Sequence, residues 1–264
     1  MVVSEREFFF VELKKYMKEI YTVSPEVEGA WRSIELRSQD TPVSGGMVRD
    51  RLARAFWTGK PLTLFSPWGV RPEGNFGNAE AAALSWVQLT AEQLREYGIP
   101  NEVLIMPADV YATEINGFDD GLVDQYFNAV TEAATAQGFG VKPWSEIRTE
   151  NQERYEEIKY WSASPQILWR TFPKSLWYRD LLPAAFRRNT SENEQEIKAS
   201  AFAYLQERVV EAQLIDEVYS PVKVSLVSRE KDVPDGNLPR IYVIPRPNRF
   251  PWLSRTMKGE IYEE

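Results

Sequence analysis

The sequence contains no histidine and no cysteine. Without histidine, a Ser-His-Asp triad, a histidine general base and histidine-ligated zinc or iron are all excluded, and acid-base work falls to Asp, Glu, Lys, Tyr and Arg. Without cysteine there is no disulfide framework and no thiolate nucleophile, as expected of a protein from a reducing compartment. No apolar run approaches the roughly 18 residues needed to span a bilayer. Glu5, Glu7 and Glu12 interrupt the apolar residues near Met1 that a signal peptide would keep together, so a cytoplasmic protein is expected. Positive charge is also in short supply: 31 Lys and Arg against 39 Asp and Glu give a net charge of -8. Extended nucleic-acid binding and anionic membranes therefore lack electrostatic support, although a local contact with tRNA is not excluded. The expected partner is a small molecule, and no cofactor or metal is called for.

What is present is enough apolar surface for one substantial core: 43% of the 264 residues are hydrophobic and 13% aromatic. One α/β domain is expected over 1–264, with a helical packing segment at 1–60, a parallel βαβ core at 61–148, a helical region at 149–220 and C-terminal strands with an arm at 221–252. Ser4-Glu-Arg-Glu7 has capping-box spacing ahead of apolar residues at helical intervals, from Phe9 to Ile20. Further helices are expected from Pro25 to about Arg37 and from Met47 to Trp57, the latter capped by Gly59.

The stretch from Pro61 to Asn116 organises the rest. It reads strand, glycine-bearing loop, long helix, strand Val103-Leu-Ile-Met106, polar loop, which is a βαβ unit whose post-strand loops collect ligand-facing groups. That puts Ser66, Trp68, Arg71, Asn75, Asp109, Tyr111, Glu114 and Asn116 on one rim. The amides near Ala79 and the Arg71 side chain form a candidate anion cradle, without the Walker ending or a dinucleotide fingerprint. A third strand, Phe139 to Pro143, exits at Lys142, adding a cation to the same rim. Ser191-Glu-Asn-Glu194 is a second capping-box spacing, opening a long amphipathic helix on which Tyr204, Arg208 and Glu211 share a face. An Arg208–Glu211 pair there either knits the core or clamps a substrate. Strands containing Lys223 with Ser225, and Arg240, follow; the Asp235-Gly236 turn signal between them points to antiparallel pairing.

Several segments resemble the isocyanide (isonitrile) synthases. Leu62 to Pro67 resembles their first strand and loop, and Pro107-Ala-Asp-Val-Tyr111 with Phe118 to Tyr126 resembles their Asp-bearing loop and helix. Tyr219-Ser-Pro-Val-Lys-Val-Ser-Leu226 is similar to their tyrosine-proline turn and basic strand, and Phe250-Pro-Trp252 to their Pro-Trp element; Val227 and Leu253 stand where that family has histidine. The resemblance implies a Rossmann-like scaffold and an amino-acid substrate, with a phosphosugar as co-substrate; with the two C-terminal strands read as antiparallel, the expected fold is a Rossmann-like mixed sheet flanked by helices. The expected catalytic residues are Asp109 as general base and Lys223 as the amine that meets a carbonyl, with Ser66, Trp68, Arg71, Asn75, Tyr111, Glu114, Asn116, Lys142, Arg208, Glu211, Ser225 and Arg240 around the substrate. Two other readings stand beside this one. Ser66-Pro-Trp-Gly69 is similar to the Ser-Pro loop of cyclodipeptide synthases, which with class I synthetases also handle activated amino acids. The third reading is a non-catalytic module that binds a small molecule in an aromatic pocket.

Overall fold

The computed structural model describes residues 24–37, 44–70, 76–162, 164, 168, 172, 174, 177–226 and 238–243. The helix expected from Ser4, the Arg71 and Asn75 positions, the Asp235-Gly236 turn and the arm after Pro245 lie outside them.

Helix α1, Pro25–Arg37, starts with proline where the missing amide hydrogen costs nothing, and the Ser24 hydroxyl donates to Glu26 at 2.6 Å. Helix α2, Gly45–Thr58, stops at Gly59, whose φ of 66° places it in the left-handed region while its N–H donates to the Ala55 carbonyl. Strand β1, Leu62–Trp68, follows; α3, Asn78–Glu96, crosses over to β2, Asn101–Pro107. A single π-helical turn, Tyr111–Ile115, precedes α4, Asp120–Ala136, which Asp119 caps by accepting from the Leu122 N–H. Then come β3, Gly140–Val141, α5, Trp144–Glu150, α6, Gln152–Ser162, a second π-turn, Trp177–Leu181, α7, Leu182–Arg188, α8, Glu194–Tyr219, β4, Val222–Ser225, and β5, Arg240–Tyr242. No helix among the described residues is long and apolar enough to cross a membrane.

The five strands form one sheet in the order β3-β2-β1-β4-β5, and every pairing is parallel. The α/β class is as expected, but the sheet is not mixed. β5 runs parallel to β4, where an antiparallel pairing was expected. Strand β1 is buried on both faces: Leu64 points into a core with α1 to α4, and Phe65 into a second core with α5, α6 and α8. This two-sided burial explains why β1 reads as a continuous apolar run. The cap of α8 also differs from the expected one. Asn193, two residues past Ser191, accepts from the Gln195 N–H at 2.9 Å, while the Ser191 hydroxyl donates to Glu196.

The chain runs from β1 outward to β3, then returns through α5 to α8 and adds β4 to the other side of β1. The order of strands reverses between β1 and β4, and in open parallel sheets the crevice beyond the carboxyl ends of such a pair is where ligands sit.

Candidate functional site

A cavity of about 310 Å³ opens at that place. Pro67, Gly69 and Val70 come to it from the end of β1, Ala108, Tyr111 and Ala112 from the end of β2, and Lys223 to Leu226 from β4. Its other wall is helical, from Leu181, Ala184, Ala185 and Arg188 to Ser200, Ala201, Tyr204 and Arg208. The volume is at the small end of pockets that hold small molecules. Most of the wall is apolar. Its charged members are Arg188, Arg208 and Lys223, and among the described residues no carboxylate lines it. In a chain with a net charge of -8, this is a local concentration of positive charge.

Tyr111 opens the π-turn and lines the cavity. Ala108 and Ala112, four residues apart and joined by the Ala112 N–H donating to the Ala108 carbonyl at 3.2 Å, face the same space, and Asn116 holds the turn by donating to the Tyr111 carbonyl at 2.6 Å. The Tyr111 hydroxyl donates to Glu211 Oε2 at 2.6 Å, and Arg208 Nη1 donates to Glu211 Oε1, also at 2.6 Å. Burial and then the nearby Glu211 carboxylate push the Tyr111 hydroxyl well above its ordinary titration range. The Tyr204 ring meets the Tyr111 ring edge-on at 5.2 Å. Lys223 is 2% exposed and shares a register position with Phe65, so it faces the α8 side of the sheet.

Of the residues expected at the site, Tyr111, Asn116, Arg208, Lys223 and Ser225 line this cavity, and Glu211 lies directly behind it. Arg240 is the register partner of Lys223 and is equally buried, one strand farther out. Others are placed elsewhere. Ser66 is fully buried and donates to the Val224 carbonyl at 3.3 Å, joining β1 to β4. Trp68 belongs to the opposite core, where its indole N–H donates to the Tyr126 hydroxyl at 3.0 Å. Asp109 Oδ1 accepts from the Ser145 N–H at 3.1 Å, so its carboxylate serves the first turn of α5 instead of the cavity. Glu114 pairs with Arg148 at 3.1 Å on the surface, and Lys142 with Glu146 and Glu150. The anion cradle expected near Ala79 is already engaged: Glu80 reaches back and accepts from the Gly77 N–H at 3.0 Å. A carboxylate therefore stands where a bound anion would need positive potential.

Glu207 was not singled out in the sequence. It is 6% exposed and accepts from Trp144 Nε1 at 2.7 Å and from the Tyr155 hydroxyl at 2.9 Å, with Arg148 Nη1 at 3.6 Å. The available signal was its place four residues before Glu211, one helical turn along the same buried face of α8. Arg188 stands out in the sequence only as half of a local basic pair with Arg187, and nothing local marks Ser200.

No protein-family model and no curated protein matches the chain. Among solved structures it is similar to the PvcA protein from Pseudomonas aeruginosa, with 15% identical residues and a TM-score of 0.59 over 88% of this chain and 87% of that one. A crystal structure of cyclo(L-leucyl-L-phenylalanyl) synthase matches with 13% identity and a TM-score of 0.42 over 73% of this chain and 93% of that one. The likeness to PvcA is one of fold: a parallel sheet flanked by helices.

Proposed function

We propose that this protein is a small-molecule biosynthetic enzyme of the isocyanide synthase-like kind, acting on an amino acid held in the cavity at the ends of β1, β2 and β4. The observation that carries this reading is the cavity wall itself, where Arg208 and Lys223 approach from α8 and β4 among apolar and aromatic side chains and no described carboxylate shares the surface. The Arg208 guanidinium presents the fork of donors that a carboxylate group accepts, and an apolar body is the natural counterpart of the remaining wall. The resemblance of the basic strand around Lys223 and of the loop after β2 to the isocyanide synthases supports the same reading, as does the fold shared with PvcA.

Lys223 brings the amine among these wall groups and is the residue assigned to meet a carbonyl carbon. Asp109 is not part of this assignment, because its carboxylate is engaged at the start of α5. The test is to incubate the full chain with each L-amino acid, with and without a phosphosugar as the one-carbon source, and to follow products by mass spectrometry. Conversion of an amine to an isocyanide gives a product one carbon heavier and two hydrogens lighter than the amino acid. Lys223→Met should abolish that product. Saturable binding of amino acids without any new mass would replace the enzyme by a binding module.

A further inference from the structure

Tyr111 and Arg208 reach the cavity from different walls, one on the turn after β2 and the other on α8, and a single carboxylate ties them together. Glu211 is 1% exposed and does not itself line the cavity. Its Oε2 takes the Tyr111 hydrogen at 2.6 Å and its Oε1 takes an Arg208 hydrogen at 2.6 Å. A phenol has one hydrogen to give. With that hydrogen committed to Glu211, the Tyr111 oxygen can only accept from a molecule in the cavity. The guanidinium of Arg208 is the opposite case, since it holds donors and no acceptor. The two side chains therefore have fixed and opposite hydrogen-bonding polarity, and the Arg208 guanidinium lies 5.9 Å from the centre of the Tyr111 ring.

We propose that Glu211 is a positioning residue that sets the polarity of the cavity, making Tyr111 an acceptor for the protonated amine of a bound amino acid and Arg208 a donor to its carboxylate. The inference rests on the amino-acid reading above and adds to it the basis of selection. A buried acceptor left without a donor is costly, so a site built this way rejects an analogue that keeps the carboxylate but lacks the amine. Glu211→Gln is the informative change. Arg208 claims the amide oxygen, the amide nitrogen then donates to Tyr111, and the phenol hydrogen turns toward the cavity. The shape of the site is kept while one polarity is reversed.

The experiment measures binding of the twenty L-amino acids to the full chain by calorimetry, and then of the desamino analogue of each one that binds. The wild-type protein should prefer the amine-bearing partner by about tenfold or more, the scale of one buried polar group left unpaired. In Glu211→Gln and Tyr111→Phe that ratio should fall to within about twofold of unity while the desamino acid binds as before. Ultraviolet titration gives a second readout that simple loss of packing would not move: against the late titration of Tyr155, which stays in every variant, the late-titrating amplitude should fall by one phenol in Tyr111→Phe, and one phenol should titrate earlier in Glu211→Gln, where the charge of Glu211 is gone and Arg208 and Glu207 remain. A ratio unchanged in folded Glu211→Gln, or an equal weakening of both partners, overturns the proposal and leaves the amino-acid reading standing. Failure of every amino acid to bind the wild-type protein removes that reading, and this proposal with it.

Discussion

Lys223 of β4 and Arg240 of β5 are register partners on one face of the sheet, and each is 2% exposed. Lys223 is the member of this pair on the cavity wall, where its side chain meets whatever the cavity holds. Lys223→Met should weaken binding of a carboxylate ligand by about ten- to a hundredfold, the value of one charge-assisted hydrogen bond. Calorimetry with the amino acid that gives the largest melting shift checks this, and an unchanged dissociation constant would take Lys223 out of the site.

Asp109 should behave as a capping residue. Asp109→Ala removes the acceptor for the Ser145 N–H and should cost about 1 kcal/mol of stability in urea denaturation. Ligand affinity should stay within about twofold of wild type, since the carboxylate is outside the cavity wall. A tenfold loss of affinity at normal stability would return Asp109 to the chemistry.

Glu207 should be a stability residue with a large effect. Glu207→Ala strands the Trp144 indole N–H and the Tyr155 hydroxyl in the core and leaves the half-buried Arg148 without its inner partner. A loss of about 3 kcal/mol or more is expected. Glu207→Gln, which keeps one acceptor and the volume, should lose clearly less. Equal losses in the two variants would mean that volume, not hydrogen bonding, is what Glu207 supplies.

The alkaline limb of the stability profile should be steep. Burial raises the hydroxyls of both Tyr111 and Tyr155, and the charges of Glu211 and Glu207 raise them further. A phenol raised in the folded state ionises first in the unfolded state, so its contribution is complete below about pH 10 and is lost as pH climbs from there toward the folded value. Urea midpoints should therefore drop on going from about pH 8 to about pH 11. The drop should be smaller in Tyr111→Phe and in Tyr155→Phe.

Much of the fold was legible because it is written in local chemistry. Gly59 ended its helix where expected, and the apolar runs from Leu62 and Val103 became adjacent parallel strands. The direction of β5 was not legible: Asp235-Gly236 favours a tight turn, while the partner of Arg240 is chosen by tertiary packing against the sheet. Tyr111 stood out by its position just past the end of β2, and Lys223 as a cation among the alternating apolar residues of a strand; both line the cavity. Trp68 was misleading for a simple reason of pleating. Side chains alternate along a strand, and Trp68, with an odd offset from Phe65, falls on the other face. Glu114 and Lys142 occupy rim segments too, but ion pairs with Arg148 and Glu150 hold them at the surface.

The pairing of β1 with β4 also governs the order in which this chain can assemble. β1, β2 and β3 find each other across short helical crossovers, but the bond from Ser66 to Val224 joins residues 158 positions apart. During synthesis one edge of β1, with Leu64 and Phe65 at its centre, has no strand to pair with until β4 has been made. Contacts of such long range form late and slowly. The cavity is complete only once β4 has paired with β1, and any molecule that fills it stabilises that paired state by mass action.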